Sequence, residues 1–189
     1  MELFRTLRLR LGSALLAKKA ARLRRDVRYT SFENVKSIGL VWDASRPAEF
    51  GSLSRFHQKM EEMKKEVKIF AYFPGKNLPD QYTAIRYLSC IRKDELSKLY
   101  LPVTSEANAF INNRYDVLID LNFDKHLPLL YITAVSKARL KVGLFEKNGS
   151  ASSFDLMMEL SAPVDIDSYL SQVTRYLEMI KDKSEVKGE

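Results

Sequence analysis

The sequence has few of the residues that build covalent or metal-held frameworks, with one cysteine and two histidines among 189 residues. A single cysteine excludes a disulfide within the chain, which fits a reducing compartment. Cys90, His57 and His126 are too few for a structural zinc site, which takes four cysteine or histidine ligands. We therefore expect no disulfide framework, and we predict no metal and no cofactor.

Long apolar runs are also missing. The longest uncharged run near the N-terminus, residues 11–17, has seven residues, whereas a membrane-spanning helix needs about 20. Lys18 and Lys19 follow it, where the cleavage site of a signal peptide would have small residues. The sequence predicts neither a membrane span nor a signal peptide, and we expect a cytoplasmic protein.

Glycine is scarce as well, with seven residues in the chain. Backbone amides approach a pyrophosphate only where side chains are absent, as in G-x-G-x-x-G or the P-loop. The turn after the first predicted strand, DASRPAEFGS, has only Gly51, and neither pattern occurs anywhere. A G-x-S-x-G nucleophile elbow is missing too. These absences argue against the common nucleotide-binding and hydrolase classes.

Positive charge is in excess, and the excess lies at one end of the chain. The whole sequence has 31 basic and 24 acidic residues, a net charge of +7. Residues 1–28 hold nine basic and two acidic residues, and residues 29–189 hold 22 of each. On charge grounds the body of the protein needs no polyanionic partner, because the basicity belongs to the N-terminal segment.

The first half of this basic segment is amphipathic. On a helical wheel, one face collects apolar residues up to about residue 17, after which lysines and arginines turn onto the same face. The apolar residues are Leu3, Phe4, Leu7, Leu11, Ala14 and Leu15. We call the segment over residues 1–30 the basic N-terminal arm.

Three interpretations of the arm are open. It could anchor the protein on an anionic membrane surface, or it could bind nucleic acid or the ribosome through phosphate contacts. It could also pack on its own domain or on a second copy, which would make a homodimer. The cations that would contact a membrane or polyanion are Arg5, Arg8, Arg10, Lys18, Lys19, Arg22, Arg24 and Arg25.

The rest of the chain alternates short apolar runs with segments of helical period. This alternation predicts a mostly parallel sheet covered on both faces. We expect a three-layer, Rossmann-like α/β domain over residues 31–181, followed by a polar tail over 182–189. The predicted strands are residues 35–42, 67–73, 85–91, 115–121, 140–145 and 154–160, so that the sheet has five or six strands. The predicted helices cover about 50–63, 105–112 (capped by Ser105), 127–138 and 166–180 (capped by Asp165 or Asp167).

Polar side chains follow several of these strands. In open α/β sheets ligands bind beyond the carboxyl ends of the strands, so Asp43 and Asp120 are expected to converge there. They would hold Mg²⁺ through water or act as an acid–base pair; alternatively, these residues are polar because loops are solvated. The catalytic candidates are Asp43, Asp120 and Asp124, and the ligand-binding candidates are Ser45, Arg46, Lys76, Asn122 and Lys125.

Other chemically interesting residues have structural interpretations. We interpret His57 as a boundary residue of an amphipathic helix and His126 as a residue that helps to start the next one. Cys90 lies in an apolar run and is interpreted as a buried structural cysteine. Three aromatic residues of the first two strands, Trp42, Tyr72 and Phe73, are assigned to the core, as their residue type favours burial.

Four segments of the body resemble a bacterial family. The resemblance is to a domain of unknown function found in Bacteroidota, and it covers about residues 35–180. It implies a bacterial cytoplasmic protein without assigned chemistry, and it argues against an organellar transit peptide at the basic N-terminus. The segments are SIGLVWDA (37–44), YDVLIDLNFDKHLPLLYI (115–132), ARLKVGLF (138–145) and FDLMMEL (154–160).

A shorter similarity is to the N-terminal half of heptosyltransferases. Residues 115–121 and 138–145 are similar to a YDLVIDL-like strand and the A-x-R-x-x-G-F-like strand that follows it in those enzymes. About 30 residues are involved. The similarity implies a glycosyltransferase-like domain without the half that binds the nucleotide sugar, and it assigns a role to no residue here.

The sequence as a whole favours a non-catalytic binding or interaction domain. It would be cytoplasmic, and its arm would contact the inner surface of the membrane. A small enzyme or degenerate glycosyltransferase-like domain, with its site at the carboxyl ends of the strands, is the first alternative. An RNA- or ribosome-associated factor is the second.

Overall fold

A computed structural model describes residues 2–145, 153–160 and 164–180. Most of the loop predicted after the fifth strand, and the predicted tail over 182–189, lie outside these residues. The helices are α1 Glu2–Arg22, α2 Phe50–Glu62, α3 Ser105–Asn112, α4 Leu127–Val135 and α5 Ile166–Met179. The strands are β1 Ser37–Asp43, β2 Glu66–Phe73, β3 Leu88–Arg92, β4 Val117–Leu121, β5 Leu140–Leu144 and β6 Leu156–Met158.

The six strands form one sheet in the order β3-β2-β1-β4-β5-β6. Every neighbouring pair is parallel. The predicted α/β class, with a parallel sheet between helices, is therefore confirmed. From β1 the chain builds outward through β2 to β3, then returns to lay β4 on the other side of β1. The strand order thus reverses between β1 and β4, which in such sheets is the usual position of a ligand site.

Helices cover both faces of the sheet, and side chains alternate between two cores. Trp42 of β1 belongs to the core under α2 and α5, and its neighbour Val41 belongs to the core under α3 and α4. Trp42 is fully buried and Tyr72 is buried, which confirms both as core residues, and Phe73 is half-buried against the first core. Strands buried on both faces read as continuous apolar runs, which is why β1 and β4 were recognisable in the sequence.

Several element ends differ from the sequence prediction for local reasons. The cap of α3 is Thr104, whose hydroxyl accepts a hydrogen bond from the Ala107 amide at 3.2 Å, while the Ser105 hydroxyl donates to Glu106. Strand β3 begins at Leu88, three residues later than predicted, because the Leu88 amide closes a turn onto the carbonyl of Ile85. The cap of α5 is Asp165, one of the two predicted residues.

Helix α1 lies along α4 and is fixed to it at three levels. Gly12 lies against the carbonyl of Leu99 and the side chain of Leu127, and any side chain at this position would clash with that carbonyl. Further along, Lys19 Nζ donates to Tyr131 Oη at 2.6 Å. After the helix, Arg25 donates to the carbonyl of Ala138 at 3.3 Å. The two segments therefore run in the same direction, and the first half of α1 extends past the beginning of α4.

The face of α1 that packs on the domain shares only Leu15 with the apolar face seen in the sequence. Leu15 and Leu16 contact the core under α3 and α4. We call the four residues of the other face the apolar stripe; at 3.6 residues per turn it lies about 120° round the helix from the packed face. Its members are exposed, Leu3 at 82%, Phe4 at 69%, Leu7 at 53% and Leu11 at 51%. Among the described residues, no helix combines the length and apolarity that crossing a membrane requires.

Candidate functional site

The carboxyl ends of β1 and β4 bring a histidine against a buried carboxylate. Asp43 is the last residue of β1 and is 1% exposed. His126 follows β4 and directly precedes α4, and its Nε2 lies 3.1 Å from Asp43 Oδ2. The other Asp43 oxygen accepts a hydrogen bond from the Ser45 amide at 3.0 Å. Asp43 and His126 thus form a couple at the point where the strand order reverses.

Asn122 positions His126. Its Oδ1 accepts from the His126 amide at 2.9 Å and its Nδ2 donates to the His126 carbonyl at 3.1 Å. The Asn122 amide in turn donates to Asp120 Oδ1 at 2.7 Å, and Asp120 Oδ2 accepts from the Thr133 hydroxyl at 2.5 Å. The loop is therefore tied to both β4 and α4, and the imidazole is held by groups that are themselves buried. Such support limits the orientations that the histidine can adopt.

The loop between β4 and α4 carries a backbone conformation that is unusual for its residue. Lys125 has a φ of 57°, in the left-handed region that costs a residue with a Cβ about 1–2 kcal/mol. It stands between Asp124 and His126, and its amide donates to the Asn122 carbonyl at 3.1 Å. This turn directs the side chains on either side of it toward β1.

Asp124 reaches the same place and is paired with Arg46 from the loop after β1. Arg46 donates to Asp124 Oδ2 from Nη2 at 2.7 Å and from Nε at 3.1 Å. It also contacts Glu49 at 3.3 Å, and Glu49 accepts from the Trp42 indole at 3.0 Å. The hydrogen bond to Asp124 is the main cause that raises the pKa of Arg46. The Asp124 carboxylate is thus neutralised locally.

Asp43, Asp124 and His126 are close enough to share a cation. One ligand atom of each lies within 4.8 Å of the others, and oxygen and imidazole nitrogen are ordinary ligands of divalent metals. Arg46 already binds one oxygen of Asp124. As arranged, the group is a hydrogen-bonded Asp–His couple, and the chemistry it can perform is proton transfer at the imidazole.

Tyr72 closes one side of the couple. Its ring centroid lies 5.7 Å from that of His126. Burial raises the pKa of Tyr72, and the nearby Asp43 carboxylate raises it further. The tyrosine therefore stays protonated at neutral pH and presents a neutral, aromatic wall to the histidine.

The predicted site residues divide between this couple and other places. The structure brings Asp43, Asp124, Ser45, Arg46 and Asn122 together, with His126 among them. The carboxylate of Asp120 is buried and accepts hydrogen bonds from the Thr133 hydroxyl and the Asn122 amide. Lys76, after β2, is exposed, and its carbonyl accepts from Arg92.

Sequence reasoning missed His126 as a member of the site. We interpreted it as a helix-starting residue, and its backbone does stand at the N-cap of α4. It also lies in the β4–α4 loop with Asp124, so the rule that ligands bind at carboxyl strand ends applied to it equally. His57 is half-buried and stacks on Tyr87 at 3.7 Å, which confirms it as a boundary residue. Burial raises the pKa of the half-buried Cys90 to about 12, as expected of a structural thiol.

The cations predicted to contact a membrane or polyanion occupy two regions. Arg25 lies beyond α1, is half-buried and pairs with Asp155. Arg24 is its exposed neighbour. The others lie on α1 and are exposed, and of these Lys19 is bonded to Tyr131; they are Arg5, Arg8, Arg10, Lys18, Lys19 and Arg22.

These features define the class of the protein. It is a three-layer α/β domain with an all-parallel sheet and an Asp–His couple at the point where the strand order reverses. The chain belongs to DUF6913, a family of unknown function whose model matches residues 10–180. The match covers the sheet, the described helices of the domain and most of α1. No curated protein matches the chain significantly.

Proposed function

We propose that the protein is a peripheral membrane-binding domain that docks on an anionic lipid surface through the apolar stripe of α1. The observation that carries the proposal is the exposure of all four stripe residues, Leu3, Phe4, Leu7 and Leu11, on a helix that packs on the domain through a different face. Burying one leucine or phenylalanine side chain is worth about 1.5–3 kcal/mol. Four on one face form a surface that a lipid interface would cover.

The charges around the stripe support an anionic surface in particular. On the helical wheel Arg8 and Arg10 flank the stripe about 80° to either side, and both are exposed. Long basic side chains in such positions reach headgroups while the apolar face enters the interface. Each is worth about 1 kcal/mol near an anionic surface. Glu2 is the one acidic residue in the sequence of α1.

We place this docking on the cytoplasmic side of a bacterial inner membrane, in line with the Bacteroidota resemblance. The likeness of residues 115–121 and 138–145 to heptosyltransferases implies a glycosyltransferase-like domain without the half that binds the nucleotide sugar. The bacterial origin, that likeness and the cytoplasmic location stay predictions, as do the domain bounds.

A second candidate function is a small enzyme that uses the Asp43–His126 couple. The 3.1 Å contact between His126 and the buried Asp43 favours it, because a carboxylate that orients an imidazole is a common arrangement for acid–base chemistry. The RNA- or ribosome-associated alternative relies on the same arm cations as membrane docking. The exposed stripe favours lipid over RNA, because apolar side chains gain nothing from phosphates.

The membrane proposal is tested by flotation of the full chain with lipid vesicles. Wild-type protein should float with phosphatidylglycerol vesicles and much less with phosphatidylcholine vesicles. Replacing all four stripe residues by serine should reduce flotation by more than tenfold. Changing Arg8 and Arg10 to glutamine should reduce it about thirtyfold on anionic vesicles, from about 1 kcal/mol for each charge.

The control is a variant with serine at Val103 and Met179, which are 61% and 64% exposed and do not belong to α1. It removes exposed apolar side chains outside the stripe and should float like the wild type. Equal loss in the control, or no flotation of the wild type, would overturn the proposal. A dimer in sedimentation that the stripe variant abolishes, without lipid binding, would assign the stripe to a second copy instead.

A further inference from the structure

The opposite end of the sheet, where the strands begin, holds a strongly basic cleft. It has a volume of about 520 Å³, within the range of small-molecule pockets. One carboxylate lines it, that of Asp26, and it is paired with Arg28 at 2.7 Å. Six cationic side chains line the cleft: Arg24, Arg25, Arg28, Arg114, Lys137 and Arg139. We refer to it as the basic cleft.

The cations of the basic cleft divide into fixed and unpaired groups. Arg25 pairs with Asp155, and Arg139 donates to Asp116 at 2.8 Å, so these two belong to the wall. The side chains of Arg24, Arg114 and Lys137 are exposed and, within the parts of the chain that the structure describes, make no hydrogen bond or ion pair. Three unpaired positive charges thus face one cavity.

The wall that carries them is rigid. The amide of Lys137 donates to the Ile111 carbonyl at 2.9 Å, that of Arg139 to Tyr115 at 2.8 Å, and that of Arg28 to Arg139 at 3.2 Å. These bonds join the segment after α1, the loop after α3 and the loop after α4. The cavity is therefore shaped before any ligand arrives, which lowers the entropy lost on binding.

Helix ends explain how like charges are held together. Arg114 lies two residues beyond the end of α3, and Lys137 two residues beyond the end of α4. The carboxyl end of a helix carries partial negative charge and stabilises nearby cations. The helix ends therefore offset part of the repulsion between the cations of the cleft. The solvent-facing side of Arg114 and of Lys137 stays accessible to an anion.

We propose that the basic cleft binds a small anion with several phosphate groups. Arginine guanidinium groups match phosphate oxygens in paired hydrogen bonds, and three unpaired cations suit a ligand with several negative groups better than a single carboxylate. The proposal is independent of membrane docking by the apolar stripe, whose residues lie in the first half of α1, before any residue of the cleft.

A second cleft of the protein shows that size alone does not define the site. It lies between α2 and the residues before β3 and has a volume of about 580 Å³. Its cations Lys65, Lys68 and Arg86 stand with two carboxylates, Glu61 and Glu66. This cleft is similar in size and nearly balanced in charge, so it provides the control position for a test of the basic cleft.

The test is calorimetric titration of the full chain with inorganic triphosphate. Arg24→Gln, Arg114→Gln and Lys137→Gln should each weaken binding about tenfold, the value of one charge-assisted hydrogen bond. Arg86→Gln in the second cleft should bind like the wild type. All four side chains are exposed, so the variants should fold, and thermal melting checks this.

Two further binding experiments identify the source of the phosphates. Both use the serine variant of the apolar stripe, so that docking by the stripe cannot contribute. Binding of a soluble inositol polyphosphate, lost in Arg114→Gln, would assign a free ligand; flotation with phosphoinositide vesicles, lost in the same variant, would assign a lipid headgroup. No triphosphate binding, or equal weakening by Arg86→Gln, would overturn the proposal. RNA binding that triphosphate does not displace would overturn it as well.

Discussion

The two ends of the sheet treat charge in opposite ways. At the carboxyl end three carboxylates each have a partner: Asp43 bonds to His126, Asp124 to Arg46 and Asp120 to Thr133. At the amino end the side chains of Arg24, Arg114 and Lys137 face a cavity and have no partner among the residues that the structure describes. The carboxyl end is where ligands of such folds usually bind. In this protein the unneutralised charge, and with it the stronger argument for a ligand, lies at the other end.

The comparison also shows what a charge count along the sequence conceals. Residues 29–189 are neutral in sum, which suggested that the body of the protein needs no anionic partner. The basic cleft draws Arg24, Arg25 and Arg28 from the N-terminal segment and three cations from the body. The net charge of a long stretch is a sum over its residues. Folding can still gather the basic residues of a neutral stretch at one place on the surface.

The largest effect we predict is a pH dependence caused by Lys141, next to the basic cleft. Lys141 is 1% exposed and donates to the Ala134 carbonyl at 2.8 Å. Burial, with a smaller contribution from Arg25, lowers its pKa from 10.5 to about 7, against the opposing effect of Asp155. Between these values the unfolded chain binds the proton and the folded chain does not. The free energy of unfolding should therefore rise with pH, by up to about 1.4 kcal/mol per unit.

Urea unfolding of the wild type between pH 6 and pH 10, beside Lys141→Met, measures this contribution. The difference between the two proteins should be largest below pH 7, where the wild type bears the cost of a buried charge, and should shrink as pH rises. A difference that does not change with pH would show that Lys141 is not the group responsible.

The next effect is loss of the ion pair that closes the wall of the basic cleft. Asp155 pairs with Arg25 and accepts from the Lys141 amide at 2.8 Å, and both charged side chains are less than one-fifth exposed. Asp155→Asn should lower the free energy of unfolding by about 3 kcal/mol, because it leaves a largely buried guanidinium unpaired. It should also tighten triphosphate binding severalfold, because Arg25 is released toward the cleft.

Denaturant titration and calorimetry of Asp155→Asn measure both changes. The control is Asp26→Asn, because Asp26 pairs with Arg28 on the open side of the cleft, where both side chains are more than half exposed. It should change stability little. Equal stability losses in the two variants would mean that burial does not distinguish the wall from the rim.

The smallest effect is at the carboxyl end. A double-mutant cycle with Asp43→Asn and His126→Gln should give a coupling of about 1 kcal/mol, the net value of one hydrogen bond with a partly exposed partner. Replacing Ser45 by alanine keeps the backbone bond to Asp43 and serves as the control. No measurable coupling would remove the observation that favours an enzyme.

Most of the fold could be predicted from the sequence, because strands buried on both faces leave continuous apolar runs. β1, β2, β4 and β5 were recognisable in this way. Helix α5 was recognisable by the helical spacing of its apolar residues and by its Asp165 cap. The start of β3 was not, because residues 85–87 are as apolar as the strand and only a turn separates them. Hydrophobicity records burial, and it does not record where pairing begins.

The candidate sites were less predictable, because they depend on contacts between distant residues. Asp43 and Asp124 could be named from their positions after strands, whereas the partner of Asp43 is 83 residues away and was interpreted as a helix starter. Packing of α1 on its own domain was one of three open interpretations, but of the packed face only Leu15 was identified, because Gly12 contributes a close approach and no apolar side chain. A hydrophobic pattern records apolar side chains, so it does not reveal a contact that depends on a glycine having none.

The attachment of α1 along α4 has a consequence for motion. A domain joined to a surface by a flexible tether tumbles and presents all of its sides in turn. Here Gly12 and Lys19 fix the helix to the domain, so a surface that holds the apolar stripe also holds the sheet at one angle. The basic cleft would then open in one constant direction relative to the membrane, and a ligand would always enter it from that side.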